Sequence, residues 1–417
     1  MAPMNPKARP LAYISSRFPV LREAFIIREV RAIERAGVEV QTFSLKSPQL
    51  EIGNRDFEAL QRSPYYSPHL LSWPLLRDNL STMLRRPWQY KKTVLAAAWR
   101  FRRYPVQALK CVALFPKMVH YGCEMKRQGV SGVVAAWASL PALAALVAHR
   151  LCDLPFGITC RAWDIFVPMN QSDLPAKVAA AAVVRSNNDA GAEFMRQFCT
   201  TEAQQQKIRR VYNPFDVMAI ERRAERPDGA PLLVSGGSLV EQKGLRHLLD
   251  ALAWLKQRGE TIQLRLIGEG SERERLEAQS VKLGLTEQVT FVGTLPNHQV
   301  LEEMRSAHAF VLPSVPAKNG CMDGIPNVII EAMALGVPCI STAISGIPEL
   351  VVDDECGLLV PPGEAQPLAQ AIQRLLHDEA LQSRFADAGR TRVESLFEME
   401  RNAQRLITIY REAGLLS

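Results

Sequence analysis

The chain has 417 residues, 47% of them hydrophobic, with 50 Lys and Arg against 43 Asp and Glu and a formal net charge of +7. That length is too great for one ordinary domain and suits two of about 200 residues, each with its own core. Eight scattered cysteines form no C-x-x-C pair and no His/Cys cluster, which argues against a disulfide or zinc framework and for reduced thiols in a cytoplasmic protein.

The N-terminal MAPMNPKARPLAYISS lacks the long apolar region of a signal peptide. No run of about 18 apolar residues is present to span a membrane. Leu11–Ser15 is a short buried-strand pattern, and from about Arg22 to Ala36 apolar residues recur at helical spacing until Gly37 stops them. Val38–Leu45 reads as a second strand. Strand, helix and strand at this spacing make a βαβ unit and hence a parallel sheet. The loop after the first strand faces the ligand crevice in such sheets, so Arg17, Arg22 and Glu23 are candidates for substrate contact, with solvated charges on a loop and first helical turn as the competing reading.

Residues 71–127 break this rhythm. Between Arg77 and Arg127 there are 12 Lys and Arg against Asp78 and Glu124 alone, a net of +10, with Trp73, Trp88, Tyr90, Trp99, Phe101 and Tyr104 interleaved. Basic and aromatic residues together on helices suit an anionic membrane surface. A solvated basic face with inward-packed aromatics is the competing reading. Nucleic acid is the third and weakest option and is not expected as a partner, because no nucleic-acid motif accompanies the charge.

From Gly132 the α/β pattern resumes: Gly132–Trp137 as a strand, Leu140–Arg150 as a helix, Phe156–Thr159 as a strand. The last runs into Cys160-Arg-Ala-Trp-Asp164, a polar cluster at a strand's carboxyl end, where α/β folds place ligands. Val183–Ser186 and Arg210–Asp216 repeat the design, and Asn213-Pro214 is a turn signal that closes the first domain, set at residues 1–218. Arg161, Asp164 and Asn213 are therefore cleft candidates. The polar stretch Glu221–Gly229 reads as a linker into a second domain, set at residues 219–396.

That domain opens with Leu232-Leu-Val-Ser-Gly-Gly237-Ser238, a strand into a glycine loop, followed by Lys243-Gly244 at a helix start. Glycines admit a ligand close to the backbone, and Lys243 can pair with phosphate. Further strands and helices alternate to Ala309–Pro313. Asp323-Gly-Ile-Pro-Asn-Val-Ile-Ile-Glu331-Ala-Met-Ala-Leu-Gly336-Val-Pro338 then reads as a short helix with Pro326 near its first position and a glycine stop. Its start offers free N–H groups and a positive dipole end for an anion. Glu331, one carboxylate in an otherwise apolar run, is costly there unless something polar meets it. Phosphate donors beside an acceptor for hydroxyls are what a nucleotide sugar requires. No D-x-D follows a strand, so neither a metal nor another cofactor is expected. A last amphipathic helix runs from about Phe397 to Ala413.

The pieces Leu232–Gly244, Asp323–Gly336 and Ser345–Leu350, in this order and spacing, resemble family 4 of the retaining glycosyltransferases, whose E-x7-E motif stands here as Asp323-x7-Glu331. The opening YISSRFPVLREAFIIRE, with TCRAWDIF, is similar to the branch that contains colanic acid biosynthesis glycosyltransferases. The resemblance covers most of the second half, residues 11–45 and 133–216 more thinly, and the basic insert hardly at all. It implies an α/β GT-B fold: two Rossmann-like domains facing a cleft, the acceptor on the first, the nucleotide-sugar donor on the second, and the last helix (about 397–417) crossing back to the first. By carry-over, Glu331 would accept the ribose hydroxyls and Asp323 would contact the transferred sugar. Gly324, Ile325, Pro326 and Asn327 would line the diphosphate and sugar, and Gly237, Ser238 and Lys243 would cradle the diphosphate.

Two positions depart from the family. Ser238 stands where an arginine is usual, leaving Lys243 as the main cation with Arg246 as a helper. Arg161 stands where the branch has a histidine; it cannot serve as a base but would stabilise the departing diphosphate. The implied activity is transfer from a UDP- or GDP-sugar to a glycan or lipid-linked acceptor, by a protein that is cytoplasmic or peripheral on the plasma membrane's inner face. A non-catalytic nucleotide-sugar-binding relative, or an epimerase or hydrolase on the same fold, are the alternatives.

Overall fold

The computed structural model describes residues 9–20, 23–47, 60–225 and 227–416. Arg22 lies outside them. The chain divides into two compact units, residues 1–215 with 399–417, and Asp216–Glu398.

The first unit is built on seven parallel strands, β1 (Leu11–Arg17), β2 (Val40–Lys46), β3 (Tyr65–Tyr66), β4 (Val133–Ala135), β5 (Phe156–Cys160), β6 (Val183–Ser186) and β7 (Ile208–Arg210). Their order is β3-β2-β1-β4-β5-β6-β7, which reverses between β1 and β4. Leu11, Ala12 and Ile14 of β1 and Val133, Val134 and Ala135 of β4 are fully buried, as a parallel strand covered on both faces demands. The helix Ala24–Arg35 turns Ile26, Ile27, Val30 and Ile33 inward, where Leu406, Ile407 and Tyr410 of the last helix, Met399–Glu412, join the same core. Beyond that helix Leu415 packs so closely that a Cβ on Gly132 would lie 2.8 Å from its backbone. The last helix is thus part of the first unit. The region expected to be helical at 71–127 folds as three helices, Trp73–Arg85, Pro87–Arg100 and Pro105–Arg127, each with Pro at its first or second position.

The second unit holds six parallel strands, β8 (Leu232–Gly236), β9 (Gln263–Ile267), β10 (Val289–Gly293), β11 (Ala309–Leu312), β12 (Cys339–Thr342) and β13 (Leu358–Val360). Their order, β10-β9-β8-β11-β12-β13, is that of a dinucleotide-binding Rossmann sheet. The reversal falls between β8 and β11, and ligands bind outside the carboxyl ends of the strands at such a point.

The polar stretch from Glu221 is not a free linker. Arg223 is buried, its N–H donates to Leu335 O at 3.0 Å and its guanidinium to Ala307 O at 2.5 Å. The chain passes between units at Phe215/Asp216 and returns at Glu398/Met399.

Candidate active site

Two glycine contacts shape the loop after β8. Gly244 has φ +63°, and a Cβ there would sit 1.9 Å from Pro313 O at the end of β11; a Cβ on Gly268 (φ +123°) would sit 1.9 Å from Gly237 O. Only glycine lets these strands' carboxyl ends approach so closely. The approach sets Lys243, in the single turn Glu241–Lys243, beside the loop that follows β11. Gly244 then opens the helix Leu245–Lys256.

Lys243 Nζ lies 3.1 Å from each carboxylate oxygen of Asp323, and Ser314 Oγ donates to Asp323 Oδ2 at 2.6 Å. Ser314 is fully buried, and its carbonyl accepts from Thr342 Oγ1 at 2.5 Å, so β12 holds the residue that holds Asp323. The Lys243 and Asp323 side chains keep 13% and 14% exposure. This pair is sheltered yet reachable, which strengthens its electrostatics relative to a surface pair. Ser314 was not singled out by the sequence, although its place at the carboxyl end of the switch-point strand is a usable signal.

Immediately after Asp323 the chain runs through Gly324, Ile325 and Pro326 into the helix Asn327–Ala334, which Gly336 terminates at φ +76°. The N–H groups of Gly324, Ile325, Asn327 and Val328 have no hydrogen-bond partner among the described residues, and neither does that of Ser238. Orphan donors at a helix start, with the dipole's positive end, form a ready anion site. One turn inside, Glu331 is 5% exposed, and Asn297 Nδ2 donates to its Oε1 at 3.3 Å. That is a polar group of the kind the buried carboxylate required. Arg246, the expected helper cation, is exposed and donates to His247 Nε2 at 3.0 Å.

In the first unit the candidates fare differently. Arg161 is not presented as a free cation. Its guanidinium is buried, donating to Glu29 Oε2 (3.0 Å), Asn213 Oδ1 (2.7 Å) and Ala136 O (3.3 Å), with Phe25 and Trp137 rings beside it. Arg185 reaches the same Glu29 oxygen at 2.6 Å and Asn213 at 2.9 Å, while Tyr13 OH donates to Glu29 Oε1. Burial would raise the Glu29 carboxyl, but Arg185, Arg161 and Tyr13 together hold it down at about 2. Its Nε, Nη1 and Nη2 each make a hydrogen bond within the first unit, so the structure places Arg161 in a buried ion-pair network around Glu29. The same applies to Asn213, whose Oδ1 serves two arginines. Asp164 is fully buried and accepts from the N–H groups of Ala138, Arg161 and Ala162 at 2.8–3.1 Å. Burial raises its carboxyl all the same. It fastens the carboxyl ends of β4 and β5.

Arg17 and Glu23 remain partly exposed at the carboxyl edge of that sheet. Arg17 Nε has no partner among the described residues. Glu23 accepts from the Trp137 indole at 3.1 Å, and burial raises its carboxyl. Sequence reasoning missed Glu29, Arg185 and Asn297, each of which looks like an ordinary helix or strand residue in one dimension. All eight cysteines are free. Among the described residues no group of three or more His, Cys, Asp or Glu is placed to hold a metal ion.

Residues 217–392 match the family of glycosyl transferases group 1. The amylovoran biosynthesis glycosyltransferase AmsK of Erwinia amylovora is 37% identical over 165 residues, 40% of this chain and 40% of that protein. WcaL of Escherichia coli (strain K12), provisionally named a colanic acid biosynthesis glycosyltransferase, is 38% identical over 158 residues, 38% of this chain and 39% of its own. The matches therefore span about two fifths of these relatives' length. The 2-deoxystreptamine glucosyltransferase of Streptomyces kanamyceticus is 26% identical over 378 residues, 85% of this chain and 89% of that protein. Among solved structures, Anabaena Alr3699/HepE in complex with UDP superposes with a TM-score of 0.69 at 18% identity, covering 97% of this chain and 100% of that one. The fold is GT-B, with two Rossmann-like units, and the family match falls on the second of them.

Proposed function

We propose that the chain is a retaining glycosyltransferase, moving a sugar from a UDP- or GDP-sugar to a glycan or lipid-linked acceptor in bacterial polysaccharide biosynthesis. The observation that carries this reading is the Lys243–Asp323 pair standing next to five unpartnered N–H groups at the Rossmann switch point.

In this reading the diphosphate takes the place of Asp323 as the partner of Lys243 and of the N–H groups of Ser238, Gly324, Ile325, Asn327 and Val328. Asp323, released on one side and still held by Ser314, turns to the hydroxyls of the transferred sugar. Glu331 accepts from the ribose hydroxyls. The bond from the sugar's anomeric carbon to the departing phosphate oxygen breaks while the acceptor oxygen bonds to the same face. The acceptor's proton passes to the departing phosphate, so no side-chain base is needed. The negative charge that grows on the leaving diphosphate is met by Lys243 and fixed N–H dipoles, a preorganised electrostatic stabilisation. The charge partner in this scheme is Lys243, so the reaction calls for no metal. Arg17 and Glu23 are assigned to the acceptor.

The relatives named for amylovoran and colanic acid biosynthesis support a polysaccharide setting, and HepE, solved with UDP-glucose, makes UDP-sugars the first donors to try. The test is incubation with UDP- and GDP-sugars, with and without a lipid-linked acceptor, reading released nucleotide and the anomeric configuration of the product. Retained configuration supports the proposal. Tight nucleotide binding with no turnover on any donor would instead make this a non-catalytic relative.

A further inference from the structure

The three helices of residues 73–127 carry most of the exposed large apolar side chains among the described residues. On the helix Pro87–Arg100, Trp88, Leu95 and Trp99 are 72%, 57% and 68% exposed. Their spacing, i, i+7 and i+11, puts them on one ridge, and Lys92 falls on the same ridge between them. Thr93 and Ala97, buried, mark the opposite face. Chains in water do not keep such a stripe of tryptophan and leucine uncovered without a partner for it.

Beside this ridge, on the flank between the exposed and the buried face, opens a cavity of about 780 Å³, lined by Gln89, Lys92, Arg100, His149, Arg150 and Asp153 among others. Its charge is one-sided. Asp153 is already held by the Arg86 guanidinium through both carboxylate oxygens. Lys92, Arg100 and Arg150 make no hydrogen bond or ion pair among the described residues. Arg100 and Arg150 are half-buried, and burial lowers both; Arg150 lowers Arg100 further, and Asp173 offsets this only in part. A cation in the last turn of a helix is favoured by its dipole, which accounts for one arginine at each helix end. It does not account for two guanidinium groups that repel each other at a shared cavity, nor for Lys92 nearby. The nearby carboxylates Asp153 and Asp173 are already ion-paired with Arg86 and Lys177, so the cavity's cations lack an anion of their own.

The cavity is also remote from the substrate edge of its own sheet. His149, Arg150 and Asp153 end the helix Leu140–Cys152 and lead into Pro155 and β5, so they lie at the amino ends of the strands. Arg17, Glu23 and the end of β5 are at the carboxyl ends. An acceptor positioned for transfer would occupy that other edge.

We propose that this cavity binds the phosphate headgroup of an anionic phospholipid while the Trp88–Leu95–Trp99 ridge lies in the bilayer interface, docking the first unit on a membrane surface. Charge complementarity selects the lipid: a cationic cavity directly flanking an aromatic ridge matches a phosphate directly above acyl chains. No helix among the described residues is long and apolar enough to cross a membrane, so the contact is in-plane.

Flotation of the full chain with phosphatidylcholine vesicles, with and without phosphatidylglycerol, tests this. Binding is expected only to the anionic vesicles, weakening with salt. Arg100→Gln with Arg150→Gln should lower the partition coefficient by about thirtyfold, given the usual gain per basic residue at an anionic surface. Trp88→Ser with Trp99→Ser should lower it as well, with loss of the blue shift in tryptophan emission. The arginine variant should melt no lower than the parent, because it removes a repulsion, which separates lost binding from lost folding. The proposal is overturned if no phosphatidylglycerol-dependent binding is seen at low salt, or if the arginine variant binds like the parent. Displacement from vesicles by low-millimolar inorganic phosphate, with ionic strength held constant, would also overturn it by identifying a site for soluble phosphate. Nucleotide release measured without vesicles is independent of this contact, so its failure and that of the proposed transfer are told apart.

Discussion

Lys243 Nζ is equidistant, at 3.1 Å, from the two carboxylate oxygens of Asp323, and the second of those oxygens also accepts from Ser314. A cation and an anion that would serve different parts of one substrate here satisfy each other. Asp323 has a neutral partner to fall back on when the lysine is drawn away. In the proposed reading, donor binding would exchange one charge pair for another without leaving the sheltered Asp323 carboxylate unmet.

Lys243→Ala should weaken UDP or GDP binding by roughly ten- to a hundredfold, the range for a charge-assisted hydrogen bond. Titration calorimetry with the nucleoside diphosphate reads this directly. Lys243→Gln losing as much as Lys243→Ala would assign the effect to charge rather than shape. Binding within twofold of the parent would remove Lys243 from the diphosphate site.

Asp323→Asn keeps the size of the side chain and the Ser314 contact but loses the charge. If the carboxylate acts on the sugar as charge develops, kcat should fall by about a hundredfold or more while KM for the donor changes little. A rise in KM alone would reassign Asp323 to ground-state binding.

Glu331→Gln should reduce discrimination between UDP and its 2′-deoxy analogue. In the parent, the ribose hydroxyl donating to a buried carboxylate should favour the ribonucleotide by about 1.5–3 kcal/mol, and the variant should lose most of that preference. Equal discrimination in parent and variant would show that Glu331 is bound only to the protein.

Glu29 links pH to stability. Its carboxyl, ordinarily near 4.5, is held at about 2 in the folded chain. A depressed folded value means the charged form is favoured by folding. The contribution is complete above about pH 4.5 and disappears as the pH falls toward 2. By linkage it amounts to about 3 kcal/mol. Melting temperature followed from pH 7 to 3 should drop steeply below pH 4.5 in the parent and less steeply in Glu29→Gln. At pH 7 the variant should be several kcal/mol less stable, because Arg161 and Arg185 are left buried against a neutral amide.

Gly244→Ala places a methyl 1.9 Å from the Pro313 carbonyl oxygen at a positive φ. The loop that aims Lys243 cannot absorb this locally, so both stability and nucleotide affinity should fall, by more than the 1 kcal/mol or so typical of a left-handed glycine alone. Chemical denaturation and calorimetry on the same preparation check the two losses together.

The sequence alone determined the alternation of strands and helices, the two-part division in outline, and the segment Asp323–Gly336. These depend on local causes. A buried parallel strand needs an apolar run, a helix needs its period of 3.6, and Gly336 ends a helix because it enters a left-handed conformation without strain. Lys243, Asp323 and Glu331 could be named because each sits at a punctuated place, beside a glycine or alone in an apolar run. Only the tertiary structure decided what Arg161 does. Its partner Glu29 is 132 residues away and its companion Arg185 is 156 residues from the same carboxylate. In the sequence Glu29 is one more polar residue in a helix that also carries Arg28 and Arg31. Which charges meet inside a core depends on how strands far apart in the chain are ordered in the sheet, and no local pattern records that. The same holds for Lys92, Arg100 and Arg150. The basic insert was legible as composition, but the cavity its arginine shares with the end of a helix 50 residues further on exists only once the helices have packed.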